Sequence, residues 1–158
     1  MKNPSTEDRS ISDSSISHNA ISDNAIRDNA IKDYEIEVEW GDQDAYQHVN
    51  NCEFARYAQE SRIHFFYQHA KVDSGAVRPV MASLKLDFKR PVFYPDRLTI
   101  STHIAHVGTT SVTLKQDMRS QSQGTVVCEV TSVLVFVEFP AMKPAAVPDI
   151  FRAAALTP

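Results

Sequence analysis

The amino-acid sequence predicts an α+β domain in which an antiparallel five-stranded sheet wraps around one long central helix. Three observations predict this arrangement. A short alternating segment at residues 34–40 precedes a segment of about twenty residues with helical periodicity. Three segments with period-two alternation follow, and then a fourth that is apolar on both faces. The connections between those four segments are too short for crossover helices, so neighbouring strands are expected to run antiparallel.

Composition limits the chain to one compact domain and excludes several functional classes. Its 158 residues can bury one core, and a net charge of -4 without a dense Lys/Arg block gives no reason to expect nucleic acid as a partner. No apolar run could span a bilayer and no secretory signal begins the chain, so the cytoplasm is the expected location. Cys52 and Cys128 form no CxxC pair, which predicts reduced thiols.

The amino-terminal segment repeats every five residues, with isoleucine at positions 11, 16, 21, 26 and 31. Neither a helix nor a strand gathers residues of this period on one face. Such repeats can wind into a square solenoid, but the few turns and the lack of a separate core favour a mobile extension. We therefore predict an extension at residues 1–33, a domain at residues 34–139 and a C-terminal tail at residues 140–158.

The first strand and the helix follow from local signals. Residues 34–40 alternate as in a strand, and Gly41 with Asp42 ends it. Asn50 can cap the helix that follows, and Glu53 can complete a capping box. The helix is expected to run to about residue 69, with Lys71 near its end and a break at residues 74–75. One apolar or small face recurs at helical spacing: Phe54, Ala58, Ser61 and Phe65.

Four strands complete the predicted sheet. Residues 80–89 alternate, with Val80, Ala82, Leu84, Leu86 and Phe88 on the face expected to be buried. A turn at residues 91–96 leads to strands at residues 98–104 and 112–118, which reverse at Gly108. Residues 126–138 are apolar on both faces, which suggests a partner subunit. Prolines at positions 140, 144 and 148 rule out a further central strand, and a short helix is expected at residues 150–155.

Two stretches of this sequence resemble a known family. They are Trp40-Gly-Asp-Gln-Asp44-Ala-Tyr-Gln-His48-Val-Asn-Asn51, continued by Phe54-Ala-Arg-Tyr57, and Arg90-Pro-Val-Phe-Tyr-Pro-Asp-Arg-Leu98. Both resemble the hotdog-fold acyl-CoA thioesterases of the 4-hydroxybenzoyl-CoA thioesterase type, over residues 34–139. The resemblance implies the hotdog fold, hydrolysis of an acyl-CoA without a cofactor or metal, and a homodimer or tetramer whose sites lie between subunits.

The resemblance assigns the catalytic carboxylate to Asp44, as nucleophile or general base, and leaves Asp42 a structural role. The residues themselves also allow this chemistry, because a helix N-terminus offers unpaired N–H groups to an oxygen that gains negative charge. An Asp in such a loop can equally just form a turn. Glu60, on the helix, is the reserve candidate for the base, although a solvated or paired Glu is the ordinary state at such a position.

Binding residues are expected in the same loop and at two turns. The resemblance implies that backbone N–H groups of Val49, Asn50 and Asn51 polarise the thioester carbonyl, with Tyr46 and His48 beside them. His48 can equally be an ordinary loop residue, and Asn50 can serve only as a cap. Two polar clusters could meet the phosphates of coenzyme A or simply face solvent, namely Lys89 with Arg90, and Thr110 with Ser111.

The sequence departs from the family at two positions, and one alternative function stays open. Gln47 stands where many members have Gly, and Gln59 stands where many have Glu. The alternative is a non-catalytic acyl-CoA-binding module with a regulatory role, in which the repeated extension contacts a partner. His103 and His106 point to opposite faces of a strand, so a metal pair is not expected. The identity of the acyl group is not encoded in any motif.

Overall fold

A long helix lies against an antiparallel sheet in the computed structural model, which describes residues 32–70 and 76–155. Within these residues the elements are β1 Lys32–Glu37, a 3-10 turn at Trp40–Asp42, α1 Asn51–Ala70, β2 Val77–Phe88, β3 Arg97–Val107, β4 Ser111–Ser120, β5 Thr125–Glu138, β6 Lys143–Pro144 and α2 Asp149–Ala155. The strand order is β1-β3-β4-β5-β2, with β6 paired to β5. This order confirms the α+β prediction, with six strands in the described residues in place of five.

Some predicted features lie outside the described residues. They are the five-residue repeat up to residue 31, Lys71 in the last helical turn, and the break at residues 74–75. The helix bounds agree with the prediction, since α1 contains 20 residues and ends at Ala70.

The first strand ends earlier than the sequence suggested. It stops at Glu37, not at residue 40, because the chain curls into the 3-10 turn that Trp40 begins. The Asp42 carboxylate accepts the Glu39 N–H at 2.8 Å, and the Val38 N–H donates to the Asp96 carbonyl at 3.0 Å. These side-chain and long-range bonds outweigh the alternating pattern on which the longer strand was based.

The strand β2 contains an irregularity that changes which face is buried. Its pairing with β5 shifts register between Met81 and Ser83. Before the shift Val77 packs against the core, and after it Leu86 does so, while Val80 is 39% exposed. The prediction of one continuous buried face from residue 80 to residue 88 was therefore wrong, because a bulge reverses the alternation.

The hairpins formed by β3, β4 and β5 match the prediction. The Gly108 N–H donates to the Ser111 carbonyl at 2.8 Å and closes the turn between β3 and β4. The face of α1 expected to be enclosed is buried throughout, with relative exposures of 5% or less at Phe54, Ala58, Ser61 and Phe65. The small side chain of Ala58 lets the sheet approach so closely that Gln116 Nε2 donates to the Ala58 carbonyl at 3.0 Å.

A polar layer divides the core into two apolar clusters. Ser61 and Thr102 share a hydrogen bond of 2.8 Å, and Gln116 Nε2 donates to Thr102 Oγ1 at 3.2 Å. Arg62 donates to Ser132 Oγ at 3.4 Å in the same layer. On one side lies the loop-side cluster, which includes Val38, Val49, Phe54, Tyr57, Val92, Leu98 and Ile100. On the other side lies the far cluster, which includes Phe65, Phe66, Leu114, Leu134, Phe136, Val147 and Phe151.

The C-terminal segment contributes to this core. Phe151 of α2 is 2% exposed, and its ring lies 5.4 Å from that of Phe66 and 5.2 Å from that of Phe136, measured between centroids. The helix α2 agrees with the expected one, but residues assigned to a tail complete the far cluster and add β6. In the described part of the chain, neither helix is long and apolar enough to cross a membrane.

Candidate active site

The loop between β1 and α1 is fixed by long-range backbone bonds. The Val49 N–H donates to the Val92 carbonyl at 2.8 Å, and the Asn50 N–H donates to the Asp42 carbonyl at 2.8 Å. Within the loop the Asp44 N–H donates to the His48 carbonyl at 2.9 Å. The loop is therefore held at both ends, to the β2–β3 connection and to its own first turn.

Asp42 is the anchor of the loop. The residue is 7% exposed. Its carboxylate accepts three hydrogen bonds, from the Glu39 N–H, the Tyr57 hydroxyl at 2.6 Å and the Arg56 guanidinium at 2.7 Å. Burial alone would raise the pKa of Asp42, but the bonds from Tyr57 and Glu39 and the charge of Arg56 lower it overall. Asp42 is thus a buried carboxylate committed to structure.

Asp44 faces the surface and is held by its own loop. Its Oδ1 accepts the Tyr46 N–H at 2.8 Å, and its Oδ2 lies 3.2 Å from His48 Nδ1. The Asp44 side chain is 23% exposed and the His48 side chain 35% exposed. The Tyr46 ring stacks on the His48 ring at 6.0 Å between centroids. A carboxylate oriented in this way, yet accessible, can accept a proton from water or attack a carbonyl carbon.

The backbone of Gln47 explains the departure from glycine noted in the sequence. Its φ is 67°, in the left-handed region that residues other than glycine rarely adopt. The Gln47 N–H donates to the Asp44 carbonyl at 3.0 Å, so this conformation closes the turn that carries the carboxylate. The loop shape is kept without glycine, at a conformational cost.

Hydrogen bonding at the start of α1 narrows the expected oxyanion site. The N–H groups of Val49 and Asn50 already donate to backbone carbonyls, and Asn50 Oδ1 caps the helix by accepting the Cys52 N–H at 3.0 Å. Among the described residues, no acceptor pairs with the Asn51 N–H. Of the three N–H groups expected from the sequence, only the Asn51 N–H therefore has no acceptor in the described residues and can bind the carbonyl oxygen of a thioester.

Glu53 does not form the capping box that the sequence suggested. The Asn50 N–H is occupied by Asp42, and Glu53 instead pairs with Arg56 at 2.5 Å. The expectation was wrong because the guanidinium of Arg56, one helical turn away, offers a charged partner.

Glu60 is engaged in an ion pair on the helix surface. Its Oε1 accepts Arg56 Nη1 at 2.8 Å, and its Oε2 accepts the Tyr34 hydroxyl at 3.4 Å. Arg56 thus joins Asp42, Glu53 and Glu60. The Glu60 carboxylate is thus paired, which is the ordinary state expected at such a position.

The two turns named for phosphate binding lie at opposite ends of the sheet. Lys89 and Arg90 follow β2, and both N–H groups donate to the Val127 carbonyl, at the end where the Asp44 loop also lies. The Lys89 ammonium pairs with Glu129 at 3.0 Å. Thr110 and Ser111 lie at the β3–β4 turn, about ten residues along the strands from the loop. A single protomer therefore does not bring Thr110 and Ser111 to Asp44.

A surface cleft of about 460 Å³ opens beside Asp44 and contains residues that the sequence analysis did not select. It is lined by Trp40, Gly41, Gln43, Asp44, Gln47 and Tyr94. Trp40 is 75% exposed and Tyr94 47% exposed, so both rings are open to solvent at the cleft. The signal was present in the sequence, since both residues lie in the two stretches that carry the resemblance. Within the described residues, no group of three His, Cys, Asp or Glu side chains could hold a metal ion.

Comparisons with known proteins agree with this architecture. Residues 38–155 match the model of the Thioesterase-like superfamily. The chain is 23% identical over 112 residues to the long-chain acyl-CoA thioesterase FadM of Escherichia coli K12, a match that covers 69% of this chain and 85% of that protein.

Solved structures show the same fold. The PA2801 protein of Pseudomonas aeruginosa is 28% identical with a TM-score of 0.74, and the match covers 79% of this chain and 98% of that one. The PA5185 protein of the same organism is 26% identical with a TM-score of 0.73, and 83% and 94% of the two chains are covered.

Proposed function

Since the chain belongs to the thioesterase-like superfamily, we propose that it hydrolyses an acyl-CoA thioester to a free acid and coenzyme A. Membership makes it a thioester hydrolase with the hotdog fold. The acyl-CoA substrate is supported by the likeness to FadM, whose name states that activity. One observation carries the proposal: an accessible carboxylate, Asp44, lies in the loop that leads into a helix whose Asn51 N–H has no partner among the described residues.

These two groups supply the two requirements of the reaction. As general base, Asp44 takes a proton from water while the water oxygen bonds to the carbonyl carbon. As nucleophile, it forms an acyl-aspartyl anhydride that water then hydrolyses. In both routes the carbonyl oxygen gains negative charge, which the Asn51 N–H and the positive end of the α1 dipole stabilise. The C–S bond then breaks, and the thiolate leaves without a strong acid to protonate it.

The neighbouring side chains keep Asp44 in place. The Tyr46 N–H and His48 Nδ1 each engage one carboxylate oxygen, so the side chain cannot rotate away without losing both contacts. Asp42 and Tyr57 tie the preceding turn to the helix. Glu60 stays the reserve base, although its pairing with Arg56 favours Asp44. The reaction draws only on protein groups and water.

We further propose that the protein acts as a homodimer built along the free edge of β2. This strand pairs with β5 on one side, and no described strand covers its other edge over 12 residues. Such an edge offers unpaired N–H and C=O groups to a second strand. Three large apolar side chains of β2 are partly exposed: Val80, Leu84 and Phe88. Two such dimers could form a tetramer.

A second protomer would also change which residues can meet the substrate. Lys89 and Arg90 lie at the loop end of their own protomer, where they could bind the phosphates of coenzyme A. Thr110 and Ser111 could reach that substrate only from another protomer. Sedimentation of the purified protein should show a dimer or a larger species, whereas a monomer at concentrations that support turnover would reject this assembly.

Unpaired Cys52 and Cys128 fit the proposed cytoplasmic location.

The test of the activity is a panel of acyl-CoA thioesters with free-thiol detection, run on the native protein and on Asp44→Asn. We expect the substitution to lower turnover by about 10²- to 10⁴-fold, because positioned base catalysis contributes that much. Asp117→Asn is a matched control on the exposed face of β4 and should turn over normally. Glu60→Gln tests the reserve base. Equal rates for Asp44→Asn and native protein would reject the assignment, and binding without thiol release would support the acyl-CoA-binding module.

A further inference from the structure

A substrate group bound in the cleft beside Asp44 would lie close to the reacting carbon. Asp44 itself is one of its lining residues. In a thioester two groups are attached there, the acyl chain on one side and the sulfur with the arm of its thiol carrier on the other. The volume of about 460 Å³ lies within the range of about 300–1,000 Å³ typical of small-molecule sites. The cleft can therefore seat one of these two groups.

The chemistry of the cleft walls distinguishes between the two groups. Gln43 and Gln47, whose side chains end in amides, are among the lining residues. Gln43 Nε2 donates to the Trp40 carbonyl at 3.3 Å, which leaves Gln43 Oε1 as an acceptor. Trp40 and Tyr94 supply flat apolar surfaces that stay largely in contact with solvent. An alkyl chain would gain little binding free energy in this open cleft, because much of its surface would stay in contact with water. It would also displace water from the amides without offering them a hydrogen bond in return.

The pantetheine arm of coenzyme A has the complementary groups. It carries two amides, which can exchange hydrogen bonds with the Gln43 and Gln47 side chains, and a dimethyl group, which can pack on an aromatic ring. Its sulfur end is attached to the carbon that Asp44 must reach. We propose that the cleft between Trp40 and Tyr94 is the binding site for the pantetheine arm, an inference that rests on the proposed acyl-CoA substrate.

Gly41 keeps one wall of this cleft open. A Cβ atom added at Gly41 would meet no atom within 4 Å, and this glycine has an ordinary negative φ. The position therefore accepts a larger side chain without a clash. We expect Gly41→Leu to add bulk to the cleft and to leave the loop bonds of Asp42 and Asp44 in place.

Direct binding can be measured with the native protein, because Trp40 is its one tryptophan. We expect pantetheine and coenzyme A to change the Trp40 emission saturably, and adenosine 3′,5′-bisphosphate to leave it unchanged. A response to the bisphosphate but not to pantetheine would show that adenine occupies the cleft. A response to the free acid product alone would place the acyl group there. Either result, or no response to saturating coenzyme A, would overturn the proposal.

Kinetics provide the second test, with a control supplied by the adjacent residue. Phe93 is 51% exposed, about as much as Tyr94, but does not line the cleft. We expect Tyr94→Ala and Gly41→Leu to raise KM for an acyl-CoA about tenfold. The same variants should affect the methyl thioester of that acyl group far less, because it lacks the arm, and Phe93→Ala should change neither value.

The two proposals can fail separately. If no thioester is hydrolysed, the proposed activity fails. If acyl-CoA is hydrolysed but Tyr94→Ala and Phe93→Ala behave alike, the activity stands and the pantetheine site is rejected. If Tyr94→Ala weakens turnover of the methyl thioester as much as that of acyl-CoA, the residue supports the fold of the loop and not the arm, which also rejects the site.

Discussion

The Tyr57 hydroxyl donates to Asp42 Oδ2 at 2.6 Å, which joins the helix to the turn that precedes the Asp44 loop. Tyr57 is fully buried and Asp42 nearly so. Burial, and then the hydrogen bond to the negative charge of Asp42, raise the pKa of Tyr57 far above its usual value. The raised pKa favours the protonated hydroxyl that donates this bond.

Removing this hydroxyl should destabilise the protein. We expect Tyr57→Phe to lower the free energy of unfolding by about 1.5–3 kcal/mol, as for hydrogen bonds to charged groups. Urea unfolding measures the change. Tyr67→Phe is the control, because Tyr67 lies on the same helix with 70% exposure and should shift the value by less than about 0.5 kcal/mol. Equal effects of the two substitutions would contradict the anchoring role of Asp42.

Acid should destabilise the fold through two buried carboxylates. Burial opposes ionisation of Asp96, but hydrogen bonds from the Ser120 hydroxyl and from Ser122 outweigh it and lower the pKa of Asp96, as for Asp42. A carboxylate whose pKa is lower in the folded state stabilises the fold above its unfolded value, near 3.9. That contribution is lost as the pH falls through the folded value.

We therefore expect the free energy of unfolding to decrease as the pH falls below about 4. Asp96→Asn should be less stable than the native protein at pH 7 and should approach it in acid, since the amide does not ionise. Thermal unfolding between pH 3 and pH 7 measures both curves. Parallel curves over this range would show that Asp96 does not contribute to the pH dependence.

The left-handed backbone of Gln47 makes a glycine substitution favourable there. This conformation destabilises a residue with a Cβ by about 1–2 kcal/mol, whereas glycine adopts it without that steric penalty. We expect Gln47→Gly to be neutral or to stabilise the fold by up to about 1 kcal/mol. Gln43→Gly is the matched control, because Gln43 has an extended backbone with φ of -79°, and it should destabilise. Loss of stability in both variants to the same extent would contradict the argument.

The two thiols should differ sharply in reactivity. Cys52 is exposed at the second position of α1, whereas Cys128 is buried and its pKa is raised to about 12, by burial first and then by the charge of Asp87. A disulfide reagent should modify one thiol in the native protein and two after denaturation. The adduct beside Asn51 should block hydrolysis, and Cys52→Ser should be resistant. Equally fast modification of Cys128 would contradict its burial.

Local patterns in the sequence predicted most of the fold. The periodicities of 3.6 and 2 identified α1 and four of the main strands, and a long run that is apolar on both faces identified β5. The bulge near Ser83, the 3-10 turn at Trp40 and the pair of residues in β6 have no periodic signature. They depend on long-range contacts such as the bond between Val38 and Asp96.

The motif identified the loop and the start of the helix, and the structure places Asp44 in that loop and Asn51 at that helix start. The roles assigned to these residues stay predictions. Which N–H groups are occupied could not be predicted, because the acceptor of Val49 lies in a connection more than forty residues away. The cleft residue Tyr94 comes from that same connection, so its proximity to Asp44 is a property of the folded chain.

The polar layer across the middle of the core also bears on how sequences of this fold can diverge. Because Thr102 and Gln116 separate the two apolar clusters, substitutions in one cluster share few neighbours with those in the other, and their energetic effects should sum. We therefore expect substitutions around Phe151 to leave the geometry around Asp44 almost unchanged.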